Sequence, residues 1–116
     1  MVFETIYLLR QVANRAAQDV VYIPIESLRA AVSKLEEDNI TLYPFNATSN
    51  LDDDLREMQR QSLLNVYGNK VVVNRETFLR ATKFVEKQEE LLKDNKYAST
   101  IFTKLKQRAQ QIQVLH

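Results

Sequence analysis

The sequence has no cysteine and no tryptophan, one glycine, and one histidine, His116. Without cysteine the chain has no disulfide, no thiolate zinc or iron–sulfur site and no cysteine nucleophile. A single histidine leaves neither a Ser-His-Asp triad nor a site with several histidine ligands. One glycine cannot supply the glycine-rich loops that hold nucleotide phosphates, because each of these needs two or more. We therefore expect binding rather than catalysis, with no cofactor and no metal.

Long apolar runs are also absent, and no basic segment of the kind that begins a secretory signal is visible near the N-terminus. These absences predict an intracellular, cytoplasmic protein that does not span a membrane. The net charge of +1 is unevenly divided: residues 1–74 carry 7 basic and 10 acidic side chains, and residues 75–116 carry 9 and 5. The cationic C-terminal part favours an anionic partner such as nucleic acid, or it is simply a solvated helix face.

The spacing of apolar residues predicts four segments in the first half of the chain: a helix over about 3–17, a short strand at 20–23, a helix over about 25–37 and a helix over about 51–62. The last two are separated by an irregular loop, residues 38–50. Its apolar side chains Leu42, Tyr43 and Phe45 are expected to pack on the core. Ser49 or Asn50 is expected to cap the helix that follows.

Gly68-Asn69 is the most specific local signal, because a two-residue glycine turn between two β-rich runs is typical of a hairpin. Placing Tyr67 opposite Lys70 divides the hairpin into two faces. One face is wholly apolar and is expected to be buried: Leu64, Val66, Val71 and Val73.

The order helix, strand, helix, helix, hairpin, helix resembles the winged-helix variant of the helix-turn-helix fold, over about residues 3–80. The resemblance rests mainly on the stretch LREMQRQSLLNVYGNKVVV, residues 55–73, in which a helix passes through a short apolar segment into a hairpin. Ser62 stands where winged helices usually have a glycine before the first wing strand. The resemblance implies a mainly α fold with a small β-hairpin, followed by one long or two C-terminal helices.

For function, the resemblance implies a dimeric DNA-binding protein, a transcriptional regulator that acts without catalysis. The third helix would read base edges of double-stranded DNA, and the hairpin would contact phosphates. The candidate DNA-binding residues are Arg56, Gln59, Arg60, Tyr67 and Lys70.

Three aspartates, Asp52–Asp54, begin the same helix and would repel phosphates there. Arg56 has an alternative role as the ion-pair partner of Asp52 or Asp53. The acidic helix start and the small net charge favour a second hypothesis, a winged-helix module that binds another protein in a larger assembly and does not contact DNA.

The C-terminal part predicts either one long kinked helix over 75–113, capped by Asn74, or two helices that meet near 94–97. We therefore divide the chain into a winged-helix domain, 1–74, and a helical extension, 75–116. A continuous helix would overhang a domain of this size and expose its apolar stripe, which favours a homodimer. The stripe residues predicted to form the dimer interface are Phe78, Val85, Leu92, Ile101, Phe102, Leu105 and Ile112.

Overall fold

The computed structural model describes residues 2–42 and 50–115. In these ranges the chain is mainly α-helical with one small antiparallel sheet, as predicted. The elements are α1 (Val2–Arg15), β1 (Val20–Pro24), α2 (Ile25–Glu37), α3 (Leu51–Arg60), β2 (Asn65–Tyr67), β3 (Lys70–Asn74), α4 (Arg75–Ala81), α5 (Phe84–Leu91) and α6 (Lys96–Ala109).

The sheet has the strand order β1-β3-β2, so the hairpin strand β3 lies in the middle. Tyr67 lies opposite Lys70, as predicted. Gly68 has a φ of +60° while Asn69 keeps a negative φ, the pattern of a type II′ turn. The carbonyl of Asn69 also accepts a hydrogen bond from the Ile25 backbone at 2.8 Å, which joins the turn to the start of α2. Of the face expected to be buried, Leu64, Val71 and Val73 are buried and Val66 is half-buried.

Helix α1 is enclosed by the rest of the fold, since all seven residues from Glu4 to Arg10 are buried. A helix that is covered on every side lies at the centre of a domain. Two charged residues of this helix, Glu4 and Arg10, are therefore buried. Glu4 accepts hydrogen bonds from the Thr41 hydroxyl at 2.9 Å and the Leu42 backbone at 3.3 Å. The spacing of apolar residues predicts this helix, but it does not predict that the polar side of the helix is covered as well.

Helices α2 and α3 end in the same way. In each, a residue just beyond the helix has a positive φ: Asn39 at +54° and Ser62 at +62°. The next backbone N–H then bonds back across the helix end, from Ile40 to the Leu35 carbonyl and from Leu63 to the Met58 carbonyl, both at 2.9 Å. This is the Schellman motif, in which glycine is the usual residue at positive φ.

The region after residue 74 forms three helices, where the sequence predicted one or two. The unexpected break follows α4. The Arg10 guanidinium donates to the Leu79 carbonyl and to the Thr82 hydroxyl, both at 2.8 Å. A guanidinium that satisfies carbonyls at a helix end allows the helix to stop there. The side chain that stabilises this break is thus supplied by α1, about seventy positions away.

The second break, between α5 and α6, lies close to the predicted one. Asn95 caps α6 by accepting a hydrogen bond from the Ala98 backbone at 3.0 Å. The chain turns back here, and α6 packs on α1 and α2. Six of the seven residues predicted to form a dimer interface are buried in the chain's own core: Phe78, Val85, Ile101, Phe102, Leu105 and Ile112.

Leu92, the seventh, is partly buried against the same core. The apolar stripe thus has its partner within the chain, and pairing of two copies stays a prediction. One hydrophobic core joins both sides of the predicted boundary at residue 74.

The segment after α6 returns to the sheet. Leu115 donates its backbone N–H to the Tyr22 carbonyl at 2.8 Å and forms a bridge beside β1. Arg15 donates to the carbonyls of Ala109 and Ile112, which ties the end of α1 to this segment.

Three expectations concern residues outside the described ranges: the packing of Tyr43 and Phe45, and a cap by Ser49. Leu42, at the edge of that loop, is half-buried against the core, and Asn50 is the observed cap of α3. No helix in 2–42 or 50–115 combines the length and apolar character of a membrane span.

Candidate functional site

Helix α3 presents the predicted recognition residues. Asn50 caps it by accepting a hydrogen bond from the Asp53 backbone at 2.8 Å. Its apolar residues Leu51, Leu55 and Met58 face the core. Asp54 is only 2% exposed, so two of the three aspartates at the helix start face solvent.

Each arginine on or beside the exposed face of α3 has a carboxylate partner. Arg56 pairs with Asp53 at 3.4 Å, which is one of the two alternatives that the sequence left open. Arg60 pairs with Glu57 at 2.7 Å.

A third pair crosses from α2, where Arg29 contacts Asp52 at 3.0 Å. The hydrogen bond from Arg60 holds the pKa of Glu57 below its ordinary value, and the hydrogen bond to Asp52 raises the pKa of Arg29. Glu26 also contacts Arg29, at 3.6 Å, so the three arginines of this surface face four carboxylates and leave no excess positive charge.

Gln59 is engaged with the hairpin. Its side-chain oxygen accepts a hydrogen bond from the Val66 backbone N–H at 3.0 Å. This N–H lies on the outer edge of β2, which has no further strand beside it in the described sheet. The contact fixes α3 against the hairpin and covers an edge group that would otherwise be open to another strand.

A groove runs between α3, β2 and the start of α2. We call it the α3 groove, and it is lined by Ile25, Asp52, Leu55, Arg56, Gln59, Arg60 and Val66. Apolar side chains from three different elements form part of it, and the charged side chains come from α3. Such an arrangement suits an apolar anchor with polar groups around it.

The structure brings three of the five candidate DNA-binding residues together in this groove: Arg56, Gln59 and Arg60. Tyr67 and Lys70 are exposed, but they lie on the opposite face of the sheet from Val66, because side chains alternate along a strand. The hairpin residues therefore do not extend the groove.

Ile25 and Arg29 also belong to this surface, but the sequence patterns do not identify them as site residues. Pro24 and Glu26 mark the start of α2, but nothing local indicates that its first turn meets α3.

Polar groups are also buried around α1, away from the groove. Arg10 contacts Glu86 at 2.6 Å, in addition to the hydrogen bonds that it donates at the end of α4. The Tyr7 hydroxyl donates to Glu89 at 2.9 Å, and Glu89 also pairs with Lys106 at 3.2 Å.

Burial, together with the hydrogen bond to Glu89, raises the pKa of Tyr7, so its phenol keeps the proton. These contacts join helices to one another, which is a structural role. Among the residues that the structure describes, no cluster of three or more His, Cys, Asp or Glu side chains is placed to hold a metal ion.

Comparison with protein-family models, with curated proteins and with solved structures finds no match for this chain.

Proposed function

We propose that the chain is a winged-helix module that binds a protein partner through the α3 groove, without catalysis. The element order and the strand order β1-β3-β2 support the winged-helix assignment. Ser62 supports it further, because it has the positive φ that suits the glycine usual at this position.

The charges on α3 and on Arg29 beside it favour a protein partner over DNA. Arg29, Arg56 and Arg60 are offset by Asp52, Asp53 and Glu57. Affinity for duplex DNA depends on cations that neutralise phosphates. If these arginines turned to phosphates, three carboxylates would remain beside the DNA backbone.

The groove walls offer a protein partner apolar surface, which the DNA backbone would not use. Ile25 and Val66, both half-buried, provide apolar surface from two elements, and the buried Leu55 lies beneath them. Paired charges around apolar surface resemble the polar rim of a protein interface, where such charges give specificity more than affinity.

A matched pair of variants tests this proposal. Arg56→Asp with Arg60→Asp alters the groove, and Lys83→Asp with Lys87→Asp makes the same change in charge at and just after the start of α5. A partner that co-purifies with the wild-type chain from its source cells should be lost with the first variant and retained with the second. The identified partner, produced separately, should then bind the purified wild-type chain and the Lys83→Asp, Lys87→Asp variant in calorimetry, but not the Arg56→Asp, Arg60→Asp variant. Equal retention by both variants would contradict the proposal.

Duplex DNA is the second candidate, and one observation favours it. Arg56, Gln59 and Arg60 share one exposed face of α3, and arginine and glutamine can form bidentate hydrogen bonds with bases. The chain would then act as a transcriptional regulator.

Fluorescence anisotropy with random duplex DNA in about 50 mM salt separates the two candidates, because non-specific contacts are strong at that ionic strength. Under the protein-binding proposal, no binding is expected. Salt-dependent binding that Arg56→Ala with Arg60→Ala abolishes would establish the DNA role instead.

A further inference from the structure

The outer edge of β2 lies along the α3 groove. The hairpin register places Tyr67 opposite Lys70 and Val66 opposite Val71. The pair that flanks a two-residue turn exchanges hydrogen bonds, and such pairs alternate along an antiparallel ladder. The N–H and the C=O of Val66 therefore point away from β3. Because β2 is the last strand of the described sheet, both groups of Val66 face outward, beside α3.

Gln59 already places an amide at this edge. Its side-chain oxygen accepts a hydrogen bond from the Val66 N–H at 3.0 Å, as the carbonyl of a neighbouring strand would do. The Gln59 side chain is exposed, so it can leave this position without opening the core. A side-chain amide carries the same acceptor and donor groups as a peptide unit. The occupant of the edge in the free protein is thus a chemical equivalent of a polypeptide main chain.

We propose that the partner enters the α3 groove as an extended segment that adds a strand to β2. This inference rests on the proposed function, because it names the part of a protein partner that the groove takes. A main-chain carbonyl of the segment replaces the Gln59 amide at the Val66 N–H, and a main-chain N–H donates to the Val66 carbonyl. This is recognition by β-strand addition. A DNA backbone offers phosphate oxygens as acceptors, but it has no N–H for the Val66 carbonyl.

The register also indicates which side chain of the partner matters most. Residues directly opposite each other on paired strands point to the same face of a sheet. The Val66 side chain lines the groove with Ile25, and Leu55 lies beneath them. The partner residue opposite Val66 therefore points into the groove and should be apolar and β-branched. Since β2 has only three residues, this anchor supplies most of the affinity, and the main-chain bonds set direction and register.

Strand addition makes Gln59 a competitor of the partner. Gln59→Ala leaves the Val66 N–H without its present acceptor, so a peptide that adds a strand should bind roughly twofold to tenfold more tightly. Docking through side chains alone predicts the opposite, because Gln59 lines the groove and its loss would remove a contact. Gln61→Ala is the matched control. Gln61 donates to Glu57 at 2.9 Å and does not line the groove, so this variant should leave the affinity unchanged.

Eight-residue peptides displayed on phage supply the probe. They are selected on the wild-type chain and counter-selected on Arg56→Asp with Arg60→Asp, which retains only those that need the groove. One selected peptide is then synthesised with a single N-methyl group at each successive residue. Strand addition predicts that binding in calorimetry falls at least about tenfold at alternate residues only, because successive N–H groups of a strand point to opposite edges.

Hydrogen exchange at the Val66 amide gives an independent measurement. Gln59→Ala should speed this exchange in the free protein, and the bound peptide should slow it in both the variant and the wild type. Equal thermal midpoints show that Gln59→Ala and Gln61→Ala are folded alike.

The outcomes separate this inference from the proposed function. Groove-dependent peptides that lose affinity equally at every N-methyl position, or that bind Gln59→Ala more weakly, would overturn strand addition and leave the proposed function standing. The same holds if no groove-dependent peptide is selected while a co-purified protein still needs Arg56 and Arg60. A co-purified protein that does not need these arginines would instead contradict the proposed function itself.

Discussion

Replacing Ser62 by glycine is expected to stabilise the protein. Ser62 has a φ of +62° at the end of α3, in a Schellman motif whose two hydrogen bonds, at 3.0 and 2.9 Å, are both formed. A side chain in the left-handed region costs roughly 1–2 kcal/mol, and glycine removes this cost. The same substitution loses about 0.4–1 kcal/mol, because glycine makes the unfolded chain more disordered. The free energy of unfolding should rise by about 0.5–1 kcal/mol.

Asn39 provides a matched control within the same molecule. It has a φ of +54° at the end of α2, in the same motif with hydrogen bonds at 3.1 and 2.9 Å. Asparagine tolerates the left-handed region better than other non-glycine residues. Asn39→Gly should therefore change stability by only a few tenths of a kcal/mol, in either direction.

Urea unfolding followed by circular dichroism measures both variants. For a chain of this size, Ser62→Gly should also raise the Tm by about 2–5 °C. Ser62→Val should lower stability by about 1 kcal/mol or more, because a β-branched side chain is the least compatible with this conformation. A Ser62→Gly protein no more stable than Asn39→Gly would refute the argument that backbone strain is stored at residue 62.

Three further predictions concern the core and the turn. Arg10→Met should lower the free energy of unfolding in urea by about 2–4 kcal/mol, since it leaves buried acceptors unpaired, whereas Glu86→Gln, at a mostly exposed partner, should cost under about 1 kcal/mol. Gly68→Ala should cost about 0.5–1 kcal/mol in thermal unfolding; an added Cβ meets no atom within 4 Å, so a larger loss would mean that more than backbone strain is involved. The pKa of Tyr7 is raised by burial and by Glu89, so the unfolded chain releases this proton first as pH rises above the ordinary value of 10.0. Stability should accordingly fall with pH above 10, and the slope of that fall should be smaller in Tyr7→Phe than in the wild type.

Local signals predicted those parts of the fold that depend on neighbouring residues. Gly68 identified the hairpin and Asn74 the start of α4, because a turn and a helix cap are formed by residues a few positions apart. The break after α4 could not be predicted in this way. It depends on Arg10, whose position beside Thr82 results from the packing of α1.

The apolar stripe of the C-terminal helices shows a second limit of sequence patterns. Spacing indicated correctly that Ile101 and Leu105 are buried, but it does not indicate what covers them. The argument for a dimer assumed a straight helix, whereas the turn at 92–95 returns α6 to α1. At the candidate site, the pairing of Arg56 with an aspartate follows from helical spacing, while the pair between Arg29 and Asp52 depends on how α2 meets α3.

The central position of α1 has a consequence for synthesis on the ribosome. Its seven buried residues are covered largely by segments that follow residue 50, and Arg15 bonds to the Ala109 carbonyl 94 positions later. A nascent chain that has emerged only as far as the hairpin still exposes much of this apolar helix. Contacts of such wide separation also slow folding. Helix α1 is thus synthesised before the helices α3 to α6 that cover it, and until they emerge its apolar side chains are exposed surface of the kind that chaperones bind.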